Sequence, residues 1–164
     1  MVIENNRGWT LTELAITSAV IGIVALLAPQ IISQSTKIFV LGKAKLELQR
    51  EARAAMYLIT RELRQAESNS IIIDQINGQP YYSRIRFTKV QNVNVTIAQT
   101  GSNLQLTIGN DITTLSKNLA YLAFTFPRSD DLTIVSVSLT LQEQIYNGLF
   151  KALHMASERV RVMD

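Results

Sequence analysis

Residues 8–37 read GWTLTELAITSAVIGIVALLAPQIISQSTK, and this stretch decides the fold. Between Glu13 and Lys37 lie 23 residues, Leu14 to Thr36, without a single charged side chain. At about 1.5 Å per residue, a helix of this length extends roughly 34 Å and crosses a hydrocarbon core of about 30 Å. The stretch therefore predicts a membrane-spanning helix.

The composition agrees with a membrane anchor joined to one folded domain. Hydrophobic residues make up 47% of the 164 residues and charged residues 18%, whereas soluble domains usually carry about 25% charged residues. The length is that of a single domain. Disorder, a collagen repeat and a plain cytosolic domain are disfavoured. The formal net charge is only +3, and the sequence shows no dense cluster of basic residues of the kind that a nucleic-acid-binding protein presents on one face. Nucleic acid is therefore not an expected partner.

The sequence contains no recognisable catalytic motif. It has no cysteine and a single histidine, which leaves thiolate metal sites and histidine-based triads without their groups. Phosphate-binding glycine loops and dinucleotide fingerprints are also absent. His154 is expected to be an ordinary surface residue, and Asp130 and Asp131 are expected to form a turn rather than a calcium site. We predict no catalytic residue, no metal and no cofactor.

Glu13 is unusual for a plain anchor because it lies directly before the apolar run. A carboxylate at membrane depth is costly unless it is paired. No basic residue lies within helical reach downstream. Glu13 therefore either marks the water-facing end of the span or pairs with a group outside this chain. The apolar run is longer than the apolar core of an ordinary secretory signal, so the interpretation of this segment as a secretory signal peptide fits poorly.

Residues 7–14, RGWTLTEL, followed by Gly22 and Pro29, resemble the N-terminal signal of type IV pilins and type II secretion pseudopilins. The resemblance implies that residues 1–8 are a leader, which a prepilin peptidase cuts between Gly8 and Trp9. It implies N-methylation of Trp9 and a role for Glu13 in filament assembly, opposite the terminal amine of a neighbouring subunit. Gly22 and Pro29 would allow the helix to flex.

The same resemblance implies the partners and the location. The partners would be other pilin or pseudopilin subunits, the prepilin peptidase, the inner-membrane platform protein with its assembly ATPase, and membrane lipid. The chain would be a single-pass protein of the inner or cytoplasmic membrane with an extracytoplasmic domain, and later part of a pilus or pseudopilus. Residues 60–66, TRELRQA, look like a stretch of minor pseudopilins of the J type and minor pilins of the W type.

The rest of the chain predicts a stem and a sheet. Apolar residues recur at helical spacing through 37–67, with the charged residues on the opposite, solvated face. From residue 69 the pattern becomes strand-like, with a hairpin signal at Asn77-Gly78 and a strand over 81–90. Further strands are predicted at 94–98, 104–108, 119–126, 133–141 and 158–162. Residues 142–157 are expected to form a long surface loop with some helical turn.

We therefore predict an α+β, pilin-like fold in which a long N-terminal helix packs on an antiparallel sheet. The expected parts are a leader (1–8), a transmembrane half-helix (9–36), an amphipathic half-helix (37–67) and a globular sheet domain (68–164). The predicted function is that of a minor pilin or pseudopilin. Two alternatives stay open, namely a membrane-anchored extracytoplasmic binding or sensor domain and a DNA-uptake pilin.

Overall fold

The structure is a computed structural model that describes residues 9–145, 148 and 150–162. One helix, α1 (Leu11–Leu63), is followed by strands only, apart from a short 3-10 turn at Ser68–Ser70. The strands are β1 (Ile72–Asp74), β2 (Arg84–Thr88), β3 (Asn94–Thr100), β4 (Asn103–Ile108), β5 (Asp111–Ser116), β6 (Leu119–Thr125), β7 (Ile134–Ile145) and β8 (Phe150–Arg161). The chain divides into two compact units, Met1–Val40 and Leu41–Asp164.

In the first unit, the described residues from Leu11 onward are helical. Their apolar side chains are exposed all round, as the sequence of this stretch predicts for a helix that needs an apolar surrounding.

In the second unit, α1 buries one face against the strands. The buried positions recur every three or four residues, as the amphipathic pattern predicts: Ala44, Leu48, Ala52, Ala55, Met56, Ile59 and Leu63. They share a core with side chains of both sheets, among them Ile97, Phe124 and Leu139. The predicted α+β class, with a long helix packed on antiparallel strands, is confirmed.

The helix ends at Leu63, four residues before the predicted boundary at Glu67. The amides of Gln65 and Ala66 donate to the carbonyls three residues earlier, which tightens the last turn. Ala66 then forms an isolated bridge with Lys89, and the Glu67 amide donates to the Thr88 carbonyl at 3.0 Å. Pairing with these residues ends the helix.

The strands form two antiparallel sheets. The first has the order β1-β2-β3-β4-β5 and the second the order β6-β7-β8. A turn before β2 links them, because the Tyr82 carbonyl accepts from the Phe124 amide of β6 at 2.9 Å, while the neighbouring Ser83 carbonyl accepts from the Gln99 amide of β3 at 3.0 Å.

The predicted strand over 81–90 is shorter in the structure, at Arg84–Thr88. Tyr82 has a φ of +63°, which an extended strand does not allow. The turn at Asn77-Gly78 does form, with the Gln79 amide donating to the Ile76 carbonyl at 2.9 Å and Gly78 at φ +78°. It lies within a longer connection between β1 and β2 rather than forming a two-residue hairpin.

The prediction of a surface loop with helical turn at 142–157 is wrong. β7 continues to Ile145, and β8 pairs with it from Phe150 onward without a register shift. The strand predicted over 158–162 corresponds to the end of β8. The first part of β8, from Phe150 to Ser157, was not predicted because its side chains are mostly exposed, so it lacks the apolar alternation of a half-buried strand. β5 was missed for the same reason, since its first four residues are exposed.

Candidate functional site

The N-terminal end of α1 is closed by a reciprocal pair of hydrogen bonds between Thr10 and Glu13. The Thr10 backbone amide and hydroxyl both donate to Oε2 of Glu13 at 2.9 Å, and the Glu13 amide donates to the Thr10 hydroxyl at 3.2 Å. This is a capping box, in which two residues satisfy amides that the first turn leaves unpaired. Oε1 of Glu13 accepts no hydrogen bond from the described residues. The carboxylate therefore caps its own helix and retains one oxygen for another donor.

The expected cleavage position lies between Gly8 and Trp9. Gly8 lies outside the described residues. Trp9 precedes the helix, and its side chain is 74% exposed. The helical hydrogen bonds begin with the Leu14 amide, which donates to the Thr10 carbonyl at 3.1 Å. The Trp9 backbone therefore lies before the helical hydrogen-bond ladder.

α1 is long and apolar enough, near its N-terminal end, to cross a membrane once. Its most apolar 18-residue window has a mean hydropathy of 2.2, and none of that window is buried within the protein. By length and composition this helix is compatible with a single-pass anchor. Gly22 and Pro29 both lie within the continuous helix, where a Cβ on Gly22 would meet no atom within 4 Å. Their predicted part in helix flexibility stays a prediction.

Glu62 contradicts the expectation that the charges of α1 lie on a solvated face. Its side chain is 2% exposed, and Oε1 accepts from Nε and Nη2 of Arg61 at 3.0 and 2.8 Å. Oε2 forms an ion pair with Nζ of Lys89, itself 11% exposed. Burial alone raises the pKa of Glu62, but the hydrogen bonds and charges of Lys89 and Arg61 outweigh it and hold the pKa below its ordinary value.

The position of Lys89 explains this buried ion pair. Ala66 lies four residues after Glu62, just beyond the end of α1, and forms a backbone bridge with Lys89. A signal was available in the sequence, because Glu62 stands between Ile59, Leu63 and Ala66, which belong to the apolar face. The ion pair attaches the end of α1 to the connection between β2 and β3.

The remaining residues singled out from the sequence are Asp130, Asp131 and His154. Asp131 accepts from the amide and hydroxyl of Thr133 at 2.9 and 2.5 Å, and Asp130 forms an ion pair with Arg128, so both acids act in a turn as predicted. His154 is a half-buried residue of β8 opposite Leu141. In residues 9–145, 148 and 150–162, no cluster of three or more acids or histidines is arranged to hold a metal ion.

No protein-family model matches the chain, and no curated protein and no solved structure matches it.

Proposed function

We propose that this chain is a structural subunit of a type IV pilus or type II secretion pseudopilus, as a minor pilin or pseudopilin. The observation that carries the proposal is the continuity of α1 from Leu11 to Leu63, apolar and exposed in the first unit and buried against strands in the second. Such a subunit needs a segment that enters lipid and a domain that stays in water. One helix supplies both. The proposal includes no enzymatic activity and no cofactor.

The first step of the proposed function is removal of the leader between Gly8 and Trp9 by a prepilin peptidase, followed by N-methylation of Trp9. The exposed position of Trp9 before the first residue of α1 supports it, because a peptidase needs access to the backbone on the Trp9 side of the bond. The mature chain would then begin one residue before the capping box.

The second step is pairing of Glu13 with the amine of Trp9 in a neighbouring subunit. A carboxylate in a low-dielectric layer carries a desolvation penalty of several kcal/mol unless a cation satisfies it. In α1 the two bonds from Thr10 fall on one oxygen, which leaves Oε1 for the incoming amine. An assembling subunit, the platform protein and the assembly ATPase would be the partners of this step, in the inner or cytoplasmic membrane.

Intact mass and N-terminal sequencing of the full chain test the first step. In membranes that contain an active prepilin peptidase, we expect a chain that begins at Trp9 and is one methyl group heavier than the bare sequence. The Gly8→Val variant should keep Met1. A wild-type chain that still begins at Met1 beside an active peptidase would contradict the proposal and favour an anchored extracytoplasmic binding or sensor domain.

Two substitutions at Glu13 separate its pairing role from its capping role. Glutamine keeps an oxygen for the Thr10 donors but carries no charge, whereas alanine loses both functions. We expect Glu13→Gln and Glu13→Ala to be processed normally and to be lost from sheared filaments by tenfold or more, while Thr17→Ala, one turn further on, enters them normally. Incorporation of Glu13→Gln at the wild-type level would show that Glu13 acts only as a cap.

A further inference from the structure

The three-stranded sheet ends in a long, regular edge strand. β8 is 12 residues long, contains neither proline nor glycine, and pairs with β7 over its whole length without a bulge. No strand pairs with its other side in the described part of the chain. An edge of this kind presents a row of backbone donors and acceptors that another extended chain is able to use.

The hydrogen bonds of β7 determine which groups of β8 face outward. The Gln142 amide donates to the Asn118 carbonyl at 2.7 Å, so this residue of β7 points toward β6 and its neighbour Leu141 points toward β8. Leu141 lies opposite His154. Because backbone direction alternates along a strand, the amides and carbonyls of Met155 and Ser157 point away from β7. The Val162 amide donates to the Thr133 carbonyl at 2.8 Å and so points toward β7. Val162 is an even number of positions from His154, so this bond supports the same assignment of inward and outward residues.

A groove of about 980 Å³ lies beside this outward edge, within the second unit. Met155 and Ser157 line one side, and the exposed flank of α1 lines the other with Arg53, Tyr57, Arg61 and Arg64. The side chains of Tyr57 and Met155 are 66% and 77% exposed. The groove thus joins an unpaired strand edge to a row of arginines.

The charges around the groove are predominantly basic. Arg61 is engaged with Glu62, but Arg53 and Arg64 have no ion-pair partner among the described residues. Lys151, Arg159 and Arg161 are exposed on β8 itself, on the face opposite Ala152 and Val160. Glu158 is the one acidic residue among the described lining residues. Such a field attracts an acidic partner.

We propose that the groove binds an extended acidic segment of a partner protein, which adds to β8 as a further strand. Main-chain bonds to Met155 and Ser157 would hold the segment, and alternate side chains would face α1. Arg53 and Arg64 are 11 positions apart. Arg64 directly follows α1, and its amide still donates to the Thr60 carbonyl at 3.0 Å, so helical spacing separates the two by about 16 Å, which corresponds to about five residues of a strand. Acidic residues at alternate positions of a short segment therefore match the arginines. The inference concerns the second unit only and does not rest on the proposed function.

The same charges distinguish this occupant from two others. A second copy pairing through β8 would bring Lys151, Arg159 and Arg161 beside their counterparts or beside the groove arginines, and like charges in this position repel. A nucleic acid would satisfy the arginines but would make no use of the alternating backbone groups of β8. Both remain measurable outcomes.

The test uses the full chain in detergent micelles and a synthetic eight-residue peptide in which glutamate alternates with valine. A peptide in which lysine replaces glutamate is its control, and a single-stranded oligonucleotide is the third probe. We expect the acidic peptide to bind and the basic peptide not to bind, by fluorescence anisotropy. The bound peptide should slow hydrogen exchange of the Met155 and Ser157 amides, which point outward.

Two pairs of variants locate the bound peptide. Arg53→Glu with Arg64→Glu should weaken binding of the acidic peptide by tenfold or more, whereas Arg50→Glu, exposed on α1 outside the groove, should leave it unchanged. Ser157→Pro removes an outward amide and should abolish binding. Its control Ser157→Ala also loses the 3.0 Å contact with the Ser138 hydroxyl but keeps the amide, and should bind normally.

Several results would overturn the inference. Absence of acidic-peptide binding, equal binding of the basic peptide, or unchanged binding to Ser157→Pro would each contradict strand addition by an acidic segment. Tighter binding of the oligonucleotide that is insensitive to Ser157→Pro would assign the groove to nucleic acid. A dimer in sedimentation that Ser157→Pro dissociates would make a second copy the occupant.

Discussion

At the scale of single residues, Glu62 is a buried carboxylate of the second unit, and its contribution to stability depends on its two cations, Arg61 and Lys89. Removing one cation leaves part of a charge unpaired in the core. We expect Lys89→Met to lower the free energy of unfolding by about 3 kcal/mol. Lys117→Met, on an exposed lysine, is the matched control and should change it by less than about 0.5 kcal/mol. Urea unfolding in micelles measures both, and equal effects would show that the pair contributes nothing.

The double variant Glu62→Gln with Lys89→Met completes this comparison. Since it removes the charge together with its partner, it should be less destabilised than Lys89→Met alone. The exposed pair Lys43–Glu47, at 3.9 Å, offers the opposite case, because water screens it and its contribution is a few tenths of a kcal/mol.

Asp74 makes stability depend on acid pH. Its carboxylate accepts from Nε and Nη2 of Arg84 at 2.5 and 2.8 Å, and these bonds hold its pKa below the ordinary 3.8 against the opposing effect of partial burial, with the charges of Arg84 and Arg86 assisting. A carboxylate with a lowered pKa stabilises the fold above its unfolded pKa, and this is lost as pH falls through the folded value.

We therefore expect the difference in unfolding free energy between the wild type and Asp74→Asn to be largest near neutral pH. It should shrink from about pH 4 downward, as the wild-type carboxylate becomes protonated. Urea titrations over a pH series measure this difference. A difference that stays constant into acid would show that the Arg84 pair does not contribute through charge.

At the scale of elements, α1 tests whether burial, and not helix propensity, stabilises the second unit. Leu46 and Leu48 lie two positions apart in the same helix, yet Leu48 is 1% exposed and Leu46 is 57% exposed. Leu48→Ala creates a cavity and should cost about 2–5 kcal/mol, whereas Leu46→Ala should cost less than about 0.5 kcal/mol. Urea unfolding of the two variants gives the comparison, and similar losses would mean that the assigned face is wrong.

The elements also show what sequence patterns are able to predict. The second-unit part of α1 and β7 were predictable because each buries one face, so apolar residues recur at 3.6 or at 2 positions. β5 and the first part of β8 were not predictable, because an edge strand with exposed side chains has no such pattern. Tyr82 and the ion pair of Glu62 have a different reason. The Tyr82 carbonyl accepts from the Phe124 amide, and the cation beside the buried Glu62 is Lys89, so both partners are distant in sequence.

For the candidate site, the sequence and the structure supply different parts. Residues 7–14 alone raise the expectation of leader cleavage, and that expectation remains a prediction. The capping box could have been read from Thr10 and Glu13, which have the required spacing of three. The groove beside β8 could not be predicted from the sequence, because its lining brings Arg53 and Arg64 together with Ser157, which lies more than 90 positions further along the chain.

At the scale of the whole molecule, we propose that the apolar helix of the first unit holds the chain in a membrane, with which its length and composition are compatible. A lysine near the centre of a membrane-spanning helix costs about 2.5–3.5 kcal/mol on insertion scales. Val24 lies near the middle of the uncharged run, so Val24→Lys should shift a large fraction of the protein from the membrane pellet to the supernatant after alkaline extraction. Val90→Lys is the matched control, because Val90 is 63% exposed in the second unit and needs no apolar surrounding. If both variants stay in the pellet like the wild type, the apolar helix does not act as the anchor, and the association with membranes must come from the second unit.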